Sequence, residues 1–431
     1  MKSSSMKRLF CKYVTMNVFG MVGISLYILA DTFFVARGIG ADGLTALNLA
    51  IPIYTFISGT GLMIGMGGAT RFSISESKTV FTQSLYFTLM LSSVFFTVGL
   101  LLPDQLASFL GADMVTQQMT KTYLQVILCF SPMFILNNLI ICFVRNDGNP
   151  KLSMLAMLLG SFSNIILDYI FIFIFDMGLF GAAFATGIAP IISLIVLSGH
   201  IITKKNSFGI ERGKPVLQVF KDISLLGISF LITEFSAGIV MIVFNAIILK
   251  NAGNLGVAAY GIIANIAFVI MAIFTGISQG VQPIISKNYG MGKHNNVQKL
   301  LKHGILLVSL LSMIIYIVSF AFTEPIVSAF NKEKDFQLSQ IATRGLRIYF
   351  IGFMFSGINT LLATYFGSID KPKNAFVISI LRGFIFIIPF TFILSALWGM
   401  TGIWLAMPFT ELIVMIFSMG LLCISLRSSN C

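Results

Sequence analysis

Apolar residues along this chain gather into blocks of membrane-spanning length, broken by short polar punctuation. The stretches 152–175 and 305–322 carry almost no ionised side chain. A lipid core about 30 Å thick is crossed by roughly 20 such residues in a helix. Backbone polar groups cannot stay unpaired in hydrocarbon, and the blocks are too long for barrel strands, so each predicts a helix. Read against the loops, spans fall at 14–35, 44–70, 80–102, 121–144, 152–175 and 181–203. A second set follows at 222–249, 256–285, 300–322, 344–367, 374–396 and 402–426. The expected fold class is an all-α integral membrane protein with twelve transmembrane helices.

The two sets resemble each other. Gly40, Gly43, Ala46, Gly67 and Ser73 recur as Gly253, Gly256, Ala259, Gly280 and Ser286, a constant shift of 213. Pro150-Lys151 recurs as Pro372-Lys373, and Gly178, Gly181 and Ala185 recur as Gly399, Gly402 and Ala406. Six spans per copy is an even number, so both copies enter from the same side. The halves are therefore a parallel repeat, two pseudo-symmetric six-helix bundles of the kind that rock about a central cleft. The expected boundaries are 1–203 for the first bundle, 204–221 for a polar linker loop and 222–431 for the second bundle.

Composition narrows the class. Apolar residues are 57% of the 431 positions and charged residues only 10%, against about a quarter in soluble domains. The net charge of +12 does not point to nucleic acid, because the basic residues lie in short loops where they fix topology. With the N-terminus in the cytoplasm, most Lys and Arg fall on the inner side. The main outward exception is the stretch 332–347, with Lys332, Lys334, Arg344 and Arg347. Both termini are expected to be cytoplasmic, with the protein multi-pass in the cell membrane. Lys7, Arg8 and Lys12 precede an apolar run like a signal peptide, but the run lacks a small-residue cleavage site and reads as a retained first span. The cysteines Cys11, Cys129, Cys142, Cys423 and Cys431 show no metal or redox spacing.

Ionisable groups inside spans carry the functional signal, since each is costly when unpaired at the bilayer centre. Four acids qualify: Asp31, Asp168, Glu234 and Glu411. Arg382 is the one base placed well inside a span, and Glu411 is its natural partner. Tyr27 and Asp31 are four apart, as are Asn164 and Asp168, so each pair shares a helix face. Counted from the inner end of each span, both acids fall at about the same depth, and Thr186 falls near it from the other side. Asp31, Asn164, Asp168 and Thr186 can therefore meet in the outer half of the first bundle. Two poorly hydrated carboxylates so close cannot both ionise cheaply, and they titrate jointly. Either a proton or a sodium ion suits such an oxygen cage. No equivalent acids occupy the second half at the matching positions.

At this point the chain resembles the multidrug and toxic compound extrusion (MATE) family over nearly its whole length. The carrying segments are Asp31-Thr-Phe-Phe-Val-Ala-Arg-Gly-Ile-Gly40, Pro52 with Gly67-Gly68-Ala-Thr70, and Arg145-Asn-Asp-Gly-Asn-Pro150. Asn164-Ile-Ile-Leu-Asp168 and Gly178-Leu-Phe-Gly181-Ala-Ala-Phe-Ala-Thr186 complete them. The resemblance implies a V of two bundles and efflux of small amphipathic organic cations by H+ or Na+ antiport, with no cofactor beyond that ion. It also implies a monomer. It matches the family's first-lobe cation ligands to Asp31, Asn164, Asp168 and Thr186, which would be metal ligands if Na+ is bound. Tyr27, Tyr123 and Asn138 match positions near substrate or the coupling network, though a straight helix cannot hold Tyr123 and Asn138 at one depth. Glu234 resembles a second-lobe glutamate, but the tenth span carries no acid to partner it. Some members bend the first span at a proline, whereas this one has only Gly20 and Gly23 there.

The 42 Phe and 22 Met can line an adaptable pocket, though most positions of these types pack helices or face lipid. A related-fold flippase for lipid-linked sugars is the alternative within transport, and it requires cations in the cleft. A polytopic membrane enzyme is the alternative of another class. Against it, His200, His294 and His303 sit at loop edges without metal spacing, so no enzymatic activity is expected.

Overall fold

The computed structural model describes residues 3–331 and 335–428; Lys332, Lys334 and Cys431 lie outside them. Among the described residues nine helices are long and apolar enough to cross a membrane, or ten if Gln117–Cys129 and Ser131–Asn146, bent by 47°, count as one span. Two of these are too long for a single crossing. Leu217–Gly290 has 74 residues and Pro372–Arg427 has 56, while about 20 suffice. Each contains one non-helical residue, Gly253 and Gly399 respectively, and dividing them there accounts for the passes expected from the sequence.

Local chemistry sets the breaks. Gly40 and Gly253 are repeat equivalents, and so are Gly178 and Gly399. All four have positive φ, from 55° to 93°, a region in which a Cβ is disfavoured. A side chain at any of the four would meet nothing within 4 Å, so glycine is there for its backbone freedom rather than for packing. The fourth span bends at Phe130, just before Pro132, which cannot continue the hydrogen-bond ladder. The fifth span starts at Pro150 with Asn149 as cap, its side chain accepting from the Leu152 amide at 3.2 Å. It then loosens into a π-turn, Ile170–Ile174, directly after Asp168 and Tyr169.

Buried apolar side chains form two clusters, one drawn mainly from the first six spans and one from the last six. The clusters exchange edges. Met6, Phe10, Tyr13 and Val14 of the first span pack with the second half, and Phe208, Phe220 and Ile223 pack with the first. The polar stretch after the sixth span is therefore pinned rather than a free tether. Gln83 of the third span donates to the Lys214 carbonyl and accepts from the Val216 amide, both at 2.8 Å. Asp147 binds the Ser207 hydroxyl and His200 Nε2, the latter at 2.9 Å. His200, in the last turn of Gly178–Ile202 at the loop edge, is thus a buried structural partner.

The halves meet where helix backbones almost touch. A Cβ at Gly227 of the seventh span would fall 1.9 Å from the Met63 carbonyl oxygen of the second. The repeat-related contact is between the eighth and first spans, where a Cβ at Gly280 would lie 2.9 Å from the Tyr13 carbonyl oxygen. Close contacts continue from Gly238, beside the Thr55 side chain, to Gly290, where a Cβ would lie 2.6 Å from the Ile74 carbonyl oxygen.

Candidate functional site

The first half brings four of the expected ligands together. Asp31, Asn164, Asp168 and Thr186 are all buried. The Asn164 amide is satisfied when its Nδ2 donates to Asp168 Oδ2 at 3.0 Å and its Oδ1 accepts from the Thr186 backbone N–H at 3.2 Å. Asn164 thereby bridges the fifth and sixth spans. Asp31 reaches the group from the first span, close enough for its charge to act on Asp168. One oxygen of each carboxylate, Asp31 Oδ1 and Asp168 Oδ1, is buried with no hydrogen-bond partner among the described residues. Orphaned acceptors of this kind are expensive, and a proton or a hard cation satisfies them. No cluster of three or more His, Cys, Asp or Glu exists among the described residues, so any metal here would rest on two carboxylates plus amide and hydroxyl oxygens.

Two tyrosines frame the group. Tyr27, one turn before Asp31, shares a 2.8 Å hydrogen bond with Tyr54 of the second span. Tyr123 is buried beside Thr186, within electrostatic reach of both aspartates. Asn138 does not join them. Its Nδ2 donates to the Ser58 carbonyl at 3.4 Å, and its side chain packs where Gly61 lacks one. Asn138 here makes a contact between the second and fourth spans.

The second half holds a different arrangement. Arg382 Nε donates to Glu411 Oε1 at 2.5 Å, as the residue types imply. Its other nitrogens donate to Thr360 Oγ1 at 2.7 Å and Ser356 Oγ at 2.6 Å. Glu234 makes no side-chain hydrogen bond or ion pair among the described residues; it lines a cavity together with Arg382.

One buried cation escaped the sequence reading. Arg145, expected in a polar turn, sits in the last turn of Ser131–Asn146 and is almost wholly buried. Its Nη1 donates to Asn17 Oδ1 at 2.6 Å and to Gln279 Oε1 at 3.1 Å. Asn17 in turn donates to the Gly276 carbonyl at 2.9 Å. Nearby, Gln282 donates to Thr70 at 2.8 Å and exchanges hydrogen bonds with Asn146. This polar seam joins the halves. Amides placed inside apolar helices, Asn17 on the first span and Gln279 and Gln282 on the eighth, were the available signal.

Two bundles in a parallel repeat, joined at one end and holding buried carboxylates in one lobe, have the form of a membrane transporter. The MatE family model matches residues 17–170 and 228–393, and the chain belongs to that family. It is 28% identical over 387 residues to the multidrug export protein MepA of Staphylococcus aureus, covering 88% of this chain and 85% of that protein. Its fold matches a crystal structure of a MATE in complex with MaL6, with a TM-score of 0.91 at 22% identity, covering 98% of this chain and 97% of the other. An outward-facing multidrug resistance MATE family transporter of the MOP superfamily matches with a TM-score of 0.90 at 21% identity, over 98% and 97% of the two chains.

Proposed function

We propose that this protein is a secondary active transporter of the cell membrane. It exports small amphipathic organic cations, drugs and dyes among them, in exchange for H+ or Na+ by alternating access. The observation that carries this reading is the buried group Asp31, Asn164, Asp168 and Thr186 with its two orphaned carboxylate oxygens. The multidrug export named for the Staphylococcus aureus relative is extended to this chain on that basis.

An ionised carboxylate only accepts hydrogen bonds, whereas a protonated one also donates. Ion uptake therefore changes what Asp31 and Asp168 can bind. Tyr27 sits on the same face as Asp31 and is bonded to Tyr54, so a shift of the first span is passed to the second. Those two spans are the ones whose far ends meet the second half along the seam. With both termini cytoplasmic, the seam of Asn17, Arg145, Gln279 and Gln282 is the inner gate, closed in this conformation. The protein acts as a monomer, since each chain carries both halves of the gate and the complete ligand group.

Lipid-linked sugar flipping is the weaker reading, because phosphate needs free cations. Among the described residues the buried Arg145 is engaged in the seam and the half-buried Arg382 is engaged with Glu411. The test is purified protein in liposomes with a proton gradient and a sodium gradient imposed separately. A cationic dye is expected to move against one of the two. Movement under neither would overturn the antiport reading, and the gradient that works names the ion.

A further inference from the structure

The seventh and eleventh spans approach closely in the second half. A Cβ at Gly383 would lie 2.5 Å from Ser236 Oγ, and Thr233 Oγ1 donates to Ser379 Oγ at 3.4 Å. This contact brings Glu234 and Arg382 onto the same cavity, whose other lining residues are uncharged. Arg382 lies in a π-turn, Leu381–Ile385, a local loosening that often marks functional positions. Opposite charges sharing a small cavity are expected to pair, yet Glu234 and Arg382 do not among the described residues.

The reason lies behind the wall. Glu411 does not line the cavity, and only 2% of its side chain is exposed, against 13% for Arg382. It is fixed in place by Asn359, whose Nδ2 donates to Glu411 Oε2 at 2.7 Å and whose Oδ1 accepts from Ser418 at 3.0 Å. From there it takes Arg382 Nε, while Thr360 and Ser356 hold the two terminal nitrogens. The guanidinium is thus anchored into the wall and neutralised, and the charge left facing the cavity is that of Glu234.

We propose that Glu411, which touches neither the cavity nor cargo, is the positioning residue that sets the cavity's polarity. By holding and neutralising Arg382, it leaves Glu234 as an open anionic subsite for an organic cation. Removing the Glu411 charge frees Arg382 to cancel Glu234 and leaves an unscreened positive charge in the wall. The inference rests on the reading of the cargo as cationic.

The test uses two probes of the same shape and opposite charge, tetraphenylphosphonium and tetraphenylborate, with binding and transport measured on reconstituted full-length protein. Wild type is expected to prefer the cation. In Glu411→Gln the affinity for the cation should fall by about tenfold or more, the scale of one lost charge-assisted contact, while that for the anion holds or rises. The double variant Arg382→Gln with Glu411→Gln should regain cation affinity, because Glu234 is again unopposed. Equal losses for both probes, or a double variant as impaired as the single one, would overturn the role of Glu411. Should Glu411→Gln not fold, Glu411→Asp keeps the charge but shortens its reach, and a selective partial loss of cation binding is expected; unchanged selectivity refutes the proposal. A wild-type protein that handles neither probe would instead count against the cationic-cargo reading.

Discussion

Arg145 of the fourth span donates to Gln279 of the eighth at 3.1 Å and so ties one half of the protein to the other. The bond matters because the guanidinium has no carboxylate partner among the described residues. It is held by neutral oxygens and by sulfur contacts to Met66 and Cys142. A seam built of neutral acceptors separates at less electrostatic cost than an ion pair, which suits a gate that must open.

Arg145→Ala should loosen that gate. Losing hydrogen bonds from a charged donor, about 1.5–3 kcal/mol each, is expected to raise the open population by tenfold or more. Cys142 is buried beside Arg145 and serves as reporter once the other cysteines are replaced by Ser. Faster labelling of Cys142 by a water-soluble thiol reagent, with the protein still monodisperse, is the expected result. An unchanged rate would mean that other contacts hold the seam.

Asp31→Asn and Asp168→Asn should each reach the membrane folded yet fail to extrude a cationic dye. Asn has nearly the same shape but cannot exchange a proton or neutralise a cation. Dye efflux from cells with membrane-level controls decides this, and normal efflux by either variant removes that residue from coupling.

Asn164→Leu should weaken coupled transport without changing cargo binding. The variant leaves Asp168 Oδ2 and the Thr186 N–H without their bridge. A fall of about tenfold in ion-driven exchange is expected from the loss of one hydrogen bond to a charged group. The readout is exchange rate against ion concentration, with cargo affinity measured in parallel.

Glu234→Gln should cause a partial loss that depends on the charge of the cargo, because its carboxylate has no ion-pair partner among the described residues and lines a cavity. A substrate profile identical to wild type would reduce it to a packing residue.

Gly227→Ala should destabilise the closed seam. The added methyl would lie 1.9 Å from the Met63 carbonyl oxygen, so the second and seventh spans must separate. Overpacking of this kind costs about 1–3 kcal/mol. A lower melting temperature and a lower yield of monodisperse protein are expected.

Much of this was legible in residue order. Span positions followed from hydropathy, and the repeat followed from glycines whose equivalents share positive φ, Gly40 with Gly253 and Gly178 with Gly399. The depth argument for Asp31, Asn164, Asp168 and Thr186 held because a helix converts residue count directly into height. The Arg382–Glu411 pair followed from charge balance alone. Lateral direction was not legible. Arg145 was read from loop chemistry, which says nothing about which neighbour a side chain faces, and the match for Asn138 came from the resemblance, with helix depth already set against it.

The sequence by itself determined that this chain crosses the membrane repeatedly, in two related halves, with acids at one level of the first. These are one-dimensional properties, set by the lipid's intolerance of unpaired polar groups and by the fixed rise of a helix. Only the tertiary structure decided that Asn164 bridges Asp168 to Thr186, that Arg145 joins the seam, and that Glu234 and Arg382 line one cavity. Those outcomes depend on how each helix is rotated about its axis, which close packing between distant segments fixes.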